Sequence, residues 1–127
     1  MVEKGTLMDA NVLSLSFVGD GVHTLYVRER VFGLSPYKND ELHKLASSYC
    51  CAAAQADAAK RLEPLLQEDE LFIYKKGKNA HVGSVPKNAT LYDYKLATAL
   101  EAVIGYLYLA GKTERLEELL NALYPKE

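Results

Sequence analysis

Apolar residues recur at helical spacing along most of the chain. A stripe at three- and four-residue steps predicts a long helix from about Asn11 to Val31, which we expect Gly33 and Pro36 to end. A second helix follows, with Asn39 or Asp40 as its N-cap. The residues of the first stripe are Leu15, Val18, Val22, Leu25 and Tyr26.

The middle of the chain predicts shorter helices. An alanine-rich run from Ala46 to Ala59 predicts a third helix packed closely against its neighbours, because alanine adds little bulk. Pro64 suits the first turn of a short helix. The acidic run 68–70 suits the N-terminus of the helix after it, where the helix dipole favours negative charge.

The last third of the chain predicts a loop and then two helices. The loop is Gly77–Thr90, which is rich in Gly and Asn and lacks apolar periodicity. A strongly apolar helix carrying 96–107 follows and ends near Gly111, and a final helix covers about 113–123. No segment alternates as a strand does, so we predict an all-α helical bundle in a single domain over residues 1–127.

Composition excludes several classes of protein. The 49% hydrophobic and 25% charged residues are typical of globular proteins and exclude a mostly disordered chain. Cys50 and Cys51 are adjacent, which disfavours a disulfide, so we expect two small buried thiols. Met1–Asn11 lacks an apolar run, and no window holds ~18 consecutive apolar residues. We therefore expect a cytoplasmic protein without a signal peptide or membrane span.

The net charge of −2 argues against a uniformly basic coat, but the charge is unevenly placed. Residues 71–100 carry five lysines and one aspartate, a net +4, so the remainder carries −6. Two interpretations are open, a solvated lysine-rich loop or a loop that contacts phosphates. In the second, the RNA-binding candidates are Lys75, Lys76, Lys78, Asn79, His81 and Lys87.

Two carboxylates interrupt apolar helices. Asp20 lies between Gly19 and Gly21, and Glu101 stands one turn before Gly105, so another helix or a ligand can approach closely at both places. Each carboxylate either faces water or pairs with a cationic side chain, or both converge on a divalent cation such as Mg²⁺. Nearby His23 either helps order water at such a site or packs in the core.

Four segments in order resemble the ribonuclease III family. Residues 15–22 (LSFVGDGV) resemble its Glu-Phe-Leu-Gly-Asp-Ala-Val signature, and residues 100–109 (LEAVIGYLYL) resemble its second signature, Phe-Glu-Ala-Leu-Ile-Gly-Ala-Ile-Tyr-Leu. Residues 42–48 (LHKLASS) and 75–80 (KKGKNA) are similar to one branch, Mini-ribonuclease III, the short bacterial form without a double-stranded-RNA-binding domain. The likeness covers nearly the whole chain.

This resemblance implies a homodimeric all-α endoribonuclease that cleaves double-stranded RNA and leaves 5′-phosphate and 3′-hydroxyl ends. It implies Mg²⁺ (or Mn²⁺) as the cofactor, with Asp20 and Glu101 as the catalytic and metal-binding residues. For the Mini-ribonuclease III branch it implies maturation of both ends of the 23S ribosomal RNA precursor. A ribosomal protein that presents the substrate is a further expected partner.

The chain departs from the full-length family pattern at two positions. Ser16 and Thr98 stand where the longer enzymes carry a glutamate and an aspartate. Hydroxyls bind a hard cation more weakly than carboxylates, which favours one Mg²⁺ over two. The departures also leave open a noncatalytic RNA-binding or ribosome-assembly module with the same fold. A helical protein-interaction domain is the third interpretation.

Overall fold

The computed structural model describes residues 1–34, 38–81 and 83–125, and over these ranges it contains helices and no strand. This confirms the predicted all-α class. Pro36, one of the two expected helix ends, lies outside the described residues. The helices are α1 (Lys4–Met8), α2 (Val12–Leu34), α3 (Asn39–Cys50), α4 (Ala52–Leu62), α5 (Glu68–Lys78), α6 (Leu91–Leu109) and α7 (Thr113–Leu123), with a 3₁₀ turn at Glu63–Leu65 after α4.

Helix α6 forms the centre of the bundle. It packs against α2, α4, α5 and α7, and its residues from Leu96 to Leu107 are buried except for Glu101. Burial of each large aliphatic side chain stabilises the fold by roughly 1.5–3 kcal/mol. A carboxylate on such a helix is held at a fixed place by a densely packed core.

Two glycines allow α2 and α6 to cross in direct backbone contact. A Cβ on Gly19 would collide with the carbonyl oxygen of Glu101, and a Cβ on Gly105 would collide with that of Leu15. The close approach expected at these glycines is therefore confirmed. Gly21 differs, since a Cβ there would have no neighbour within 4 Å.

Several predicted helix ends are confirmed. The 3₁₀ turn contains Pro64 in its first positions, and α5 starts at Glu68 with a capping box between Gln67 and Glu70. Gly111 follows α6 with φ of 74°, a left-handed conformation that glycine adopts without strain.

Three predicted boundaries were wrong. Helix α2 continues through Gly33, whose φ is not positive, to Leu34. Lys38 takes the N-cap position of α3 without a side-chain cap bond, so Asn39 and Asp40 are the first helical residues instead of caps. The single helix predicted over Ala46–Ala59 is broken at Cys51, which is extended at φ −68° and ψ 157°. The break lets α3 pack on α2 while α4 packs on α6.

The predicted loop starts later than expected. Helix α5 runs to Lys78 because Gly77 packs against Ala99 of α6, where a Cβ would come within 2.8 Å of the Ala99 Cα. The cysteines also differ from the prediction. They are free thiols, but Cys50 is only half-buried and Cys51 is exposed, because the break at Cys51 turns the chain outward there. Over the described residues, no helix combines the length and apolar character needed to cross a membrane.

Candidate active site

Asp20 and Glu101 lie together in one cleft at the crossing of α2 and α6. The cleft has a volume of about 420 Å³. The contact of Gly19 with the Glu101 backbone brings these two helices close enough for both carboxylates to share it. The residues that line the cleft are Leu13, Ser16, Phe17, Asp20, Gly83, Ser84, Tyr94, Thr98 and Glu101.

The Glu101 carboxyl is strongly perturbed in this position. Burial, and after it the neighbouring Asp20 carboxyl, raise its pKa to about 9. The Ser16 hydroxyl donates to Glu101 Oε1 at 3.5 Å and opposes this shift, as does the Gln55 amide. Without a cation, Glu101 therefore keeps its proton at neutral pH.

The two carboxylates fit a small divalent cation. Asp20 is exposed and Glu101 is half-buried, so a cation held between the two carboxylates would also be in contact with water. Mg²⁺ commonly binds through one or two carboxylates, with water and substrate phosphates as its other ligands. Over residues 1–34, 38–81 and 83–125 no group of three or more His, Cys, Asp or Glu side chains is placed to hold a metal ion.

Ser16 and Thr98 line the same cleft but use their hydroxyls differently. Ser16 turns toward Glu101, whereas Thr98 donates to the backbone carbonyl of Tyr94 at 2.9 Å within α6. Both side chains are buried. Neither brings negative charge, so the cleft holds two carboxylates.

The basic segment after α5 reaches this cleft through its backbone. Gly83 and Ser84 form part of the cleft wall, while Asn79, His81 and Lys87 are exposed on the same segment. The segment that carries these exposed side chains therefore contributes two residues to the site that holds Asp20 and Glu101. Tyr94 also lines the cleft.

Lys76 differs from the other basic candidates. Its Nζ donates to the backbone carbonyls of Met8 at 3.1 Å and Ala10 at 3.0 Å. Met8 is the last residue of α1 and Ala10 lies just after it, so the ammonium connects the end of that short helix to α5. Lys75 is exposed, and Lys78 is half-buried on the last turn of α5.

His23 is a core residue and does not line the cleft. Its ring is buried, and Nε2 lies 2.9 Å from the Tyr124 hydroxyl. Burial lowers the pKa of His23 to about 4, with Asp20 acting weakly in the opposite direction. Of its two interpretations, packing in the core is the one that this position fits.

The sequence model of the family described as Ribonuclease III domain matches residues 13–112, which include Asp20, Glu101 and the whole cleft lining. The chain belongs to the ribonuclease III family. This membership confirms the resemblance inferred from the four segments and the expectation of an endoribonuclease.

Relatives of ribonuclease III type are similar over almost the full chain. The Mini-ribonuclease 3 of Brevibacillus brevis is 45% identical and aligns over 90% of this chain and 85% of its own length. That of Thermoanaerobacter sp. is 38% identical, over 95% and 85% respectively. A Fusobacterium nucleatum protein solved by X-ray crystallography has the same fold, with a TM-score of 0.85, 31% identity and coverage of 93% of this chain and 96% of that one.

Sequence reasoning missed two residues beside this ribonuclease III site. Gln55 of α4 lowers the pKa of the Glu101 carboxyl, and Cys50 of α3 lies near enough to the two carboxylates for their charges to affect the pKa of its thiol. Burial and the charges of Asp20 and Glu101 raise the pKa of the Cys50 thiol. A signal existed for Gln55 alone, because it is the one amide within the alanine-rich run 52–59.

Proposed function

We propose that the protein is a Mg²⁺-dependent endoribonuclease that cleaves double-stranded RNA and leaves 5′-phosphate and 3′-hydroxyl ends. The observation that carries the proposal is the pair Asp20 and Glu101 in one open cleft, whose wall includes Gly83 and Ser84 of the segment after α5. Membership of the ribonuclease III family supports the same reaction.

Asp20 and Glu101 are the proposed cation ligands. A divalent cation supplies charge neutralisation at the reacting phosphate and lowers the pKa of water, and Mn²⁺ can replace Mg²⁺ in such oxygen sites. Asp20 is exposed and reaches the substrate side, whereas Glu101 is anchored on the buried helix. Because Ser16 and Thr98 are neutral, we assign one cation to each cleft.

The proposed RNA contacts lie on the last turn of α5 and on the segment after it. A-form RNA is recognised through its backbone and 2′-hydroxyls, so lysines and exposed polar side chains suit it better than base-reading groups. Lys76 already donates to two carbonyls, so the proposal rests mainly on the other members of the predicted set. These are Lys75, Lys78, Asn79, His81 and Lys87.

A second copy of the chain is the proposed partner of the exposed face of α2. Phe17 is 81% exposed and Phe32 is 75% exposed, and large apolar side chains this open are typical of interfaces. Leu13 and Phe17 also line the cleft, so a copy seated on this face adjoins the catalytic carboxylates. This is the homodimer that the family resemblance implies.

The proposed substrate is the 23S ribosomal RNA precursor, cut at both ends in the cytoplasm, with a ribosomal protein as a further partner that presents it. The similarity to the Mini-ribonuclease 3 proteins supports this choice within the family. An open cleft suits a large, rigid duplex.

The test is cleavage of a paired precursor RNA by the wild type and by Asp20→Asn in the presence of Mg²⁺. We expect Asp20→Asn to lower the cleavage rate at least ~100-fold, because an amide does not neutralise a hard cation, while duplex binding is retained. Asp57→Asn is the matched control, since Asp57 is an exposed helical aspartate paired with Arg61. Equal cleavage by the wild type and Asp20→Asn would contradict the assignment.

A noncatalytic RNA-binding module is the second candidate, favoured by the neutral Ser16 and Thr98 in the cleft. It predicts duplex binding that is independent of Mg²⁺ and yields no 5′-phosphorylated product. The same reaction mixtures, analysed for product ends, separate the two functions.

A further inference from the structure

Tyr94 lines the cleft of Asp20 and Glu101, yet it is neither a proposed cation ligand nor one of the proposed RNA contacts. It stands four residues before Thr98 and seven before Glu101 on α6, and all three residues line the cleft. Side chains at this spacing share one face of a helix. Tyr94 is therefore held on the same densely packed helix as Glu101.

The side chain of Tyr94 is not used within the part of the chain that the structure describes. Its backbone N–H donates to the Thr90 carbonyl at 3.0 Å, and its carbonyl accepts from the Thr98 hydroxyl at 2.9 Å. Among the described residues, the hydrogen bonds of Tyr94 all involve its backbone. The residue is half-buried, so its phenol, which can donate one O–H hydrogen bond, is still accessible from solvent.

The other hydroxyls of the cleft are less suited to receive a substrate. That of Ser16 donates to Glu101 Oε1 at 3.5 Å, and that of Thr98 donates to the Tyr94 carbonyl. Ser84 lies on an exposed segment outside the helices. Within the described lining of the cleft, Tyr94 is thus the hydroxyl donor that a helix holds in place and that no other described group occupies.

A phosphodiester that enters this cleft needs such a donor. Its non-bridging oxygens accept hydrogen bonds but cannot donate them, and the carboxylates of Asp20 and Glu101 repel them. A 2′-hydroxyl differs, because it can itself donate to a carboxylate. A neutral phenol donates to a phosphate oxygen without adding a charge that would pair with the two carboxylates, and hydrogen bonds to charged groups are stronger than those between neutral groups.

We propose that Tyr94 is a substrate-binding residue whose hydroxyl donates a hydrogen bond to a non-bridging oxygen of the RNA phosphate that is cleaved. The inference rests on the proposed function, because it places that phosphate between Tyr94 and the two carboxylates of the cleft. The cation ligands and the donor to the phosphate then lie on one face of α6, one or two turns apart.

The experiment compares cleavage of a paired RNA by the wild type and by Tyr94→Phe in the presence of Mg²⁺. The substitution keeps the ring and removes only the hydroxyl. We expect kcat/KM to fall about 10-fold or more, since a hydrogen bond to a charged group is lost. Tyr108→Phe is the matched control, because it makes the same change on the same helix at a residue that is exposed and does not line the cleft. It should cleave as the wild type does.

A second measurement tests the contact itself. Each non-bridging oxygen of the cleaved phosphodiester is replaced in turn by sulfur, a weaker hydrogen-bond acceptor. For one of the two oxygens, the ratio of the oxygen rate to the sulfur rate should be at least about 3-fold smaller in Tyr94→Phe than in the wild type, because the two changes remove the same bond. The ratio compares two substrates with one enzyme preparation, so a loss of folded protein cancels from it.

The outcomes separate this inference from the proposed function. Wild-type cleavage by Tyr94→Phe, or ratios that stay unchanged for both oxygens, would overturn the role of Tyr94 alone. A rate that is instead coupled to 2′-deoxy substitution would place the contact on the sugar and overturn the assignment to phosphate. A wild-type chain that cleaves no duplex would refute the proposed function together with the inference that rests on it.

Discussion

At the scale of single residues, the two carboxylates of the cleft differ because their surroundings differ. Asp20 is exposed to solvent, while Glu101 is half-buried and its pKa is raised to about 9, mainly by burial and then by Asp20. Two negative charges that lie close together repel each other, so a cation that binds between them lowers the free energy of the site. The two proposed cation ligands therefore also destabilise the cation-free protein.

We predict a pH dependence of stability that originates from Glu101. In the cation-free protein its pKa is about 9, against an ordinary value of 4.5. Between these values the unfolded chain has released a proton that the folded chain keeps, so the free energy of unfolding falls as the pH rises from about 4.5 to about 9. Glu101→Gln removes this slope and should be more stable than the wild type at pH 9 by about 1–3 kcal/mol.

Urea unfolding at pH 7 and pH 9 in the presence of a chelator measures this slope. The range avoids the titration of His23, whose pKa is lowered to about 4. Glu117→Gln, at an exposed position of α7, is the control and should keep the wild-type slope. An unchanged slope in Glu101→Gln would show that another group is responsible.

At the scale of elements, the crossing of α2 and α6 creates the site. Gly19 and Gly105 lie at the same contact, and each removes a side chain that would meet the backbone of the other helix. The proximity of the Asp20 and Glu101 carboxylates depends on how closely these helices approach, since each carboxylate lies within four residues of one of the glycines.

Gly105→Ala is predicted to destabilise the fold by about 3 kcal/mol or more, because its Cβ would collide with the Leu15 carbonyl and neither backbone can yield easily. Gly33→Ala is the matched control in α2, where a Cβ has no neighbour within 4 Å. It should stabilise the helix by up to about 1 kcal/mol. Urea denaturation of both variants checks the prediction, and a mild effect of Gly105→Ala would mean that the helices can separate freely.

At the scale of the whole molecule, charge and apolar surface are unevenly distributed. A net charge of −2 conceals the +4 of residues 71–100, which border the cleft. The apolar surface is concentrated on α2 in the same way, where Phe17 and Phe32 are exposed. RNA and a second copy of the chain would thus bind adjoining regions.

The dimer prediction is tested by Phe17→Asp. A carboxylate in the centre of an apolar interface would be desolvated on association, so we expect the variant to be monomeric in light scattering at concentrations where the wild type is dimeric. Tyr108→Asp, at another exposed aromatic position on α6, should remain dimeric. A wild-type monomer, or a dimer that survives Phe17→Asp, contradicts the assigned face.

The basic segment is tested by the salt dependence of duplex binding. Removing a phosphate contact lowers the slope of log K against log salt by about 0.7–0.9. Lys87→Ala and Lys75→Ala should each show this decrease and weaken binding to all sequences alike, while Lys4→Ala on α1 should not. Unchanged slopes would show that these lysines are solvated surface residues that do not contact phosphates.

The sequence by itself determined the helical class, most helix positions and the two carboxylates. These features are local, because a helix repeats every 3.6 residues and a charged residue within an apolar run is visible in the letters. The family resemblance was also readable there, since four ordered segments carry it. The Lys-rich composition of residues 71–100 was equally plain.

Only the tertiary structure decided which of these residues meet. The break at Cys51 and the hydrogen bonds of Lys76 to the carbonyls of Met8 and Ala10 depend on packing between distant segments. The spacing of apolar residues identifies each helix and its buried face, but it does not specify which other helices pack against that face. The contacts between those helices determine the burial, the hydrogen bonds and the pKa values of the site.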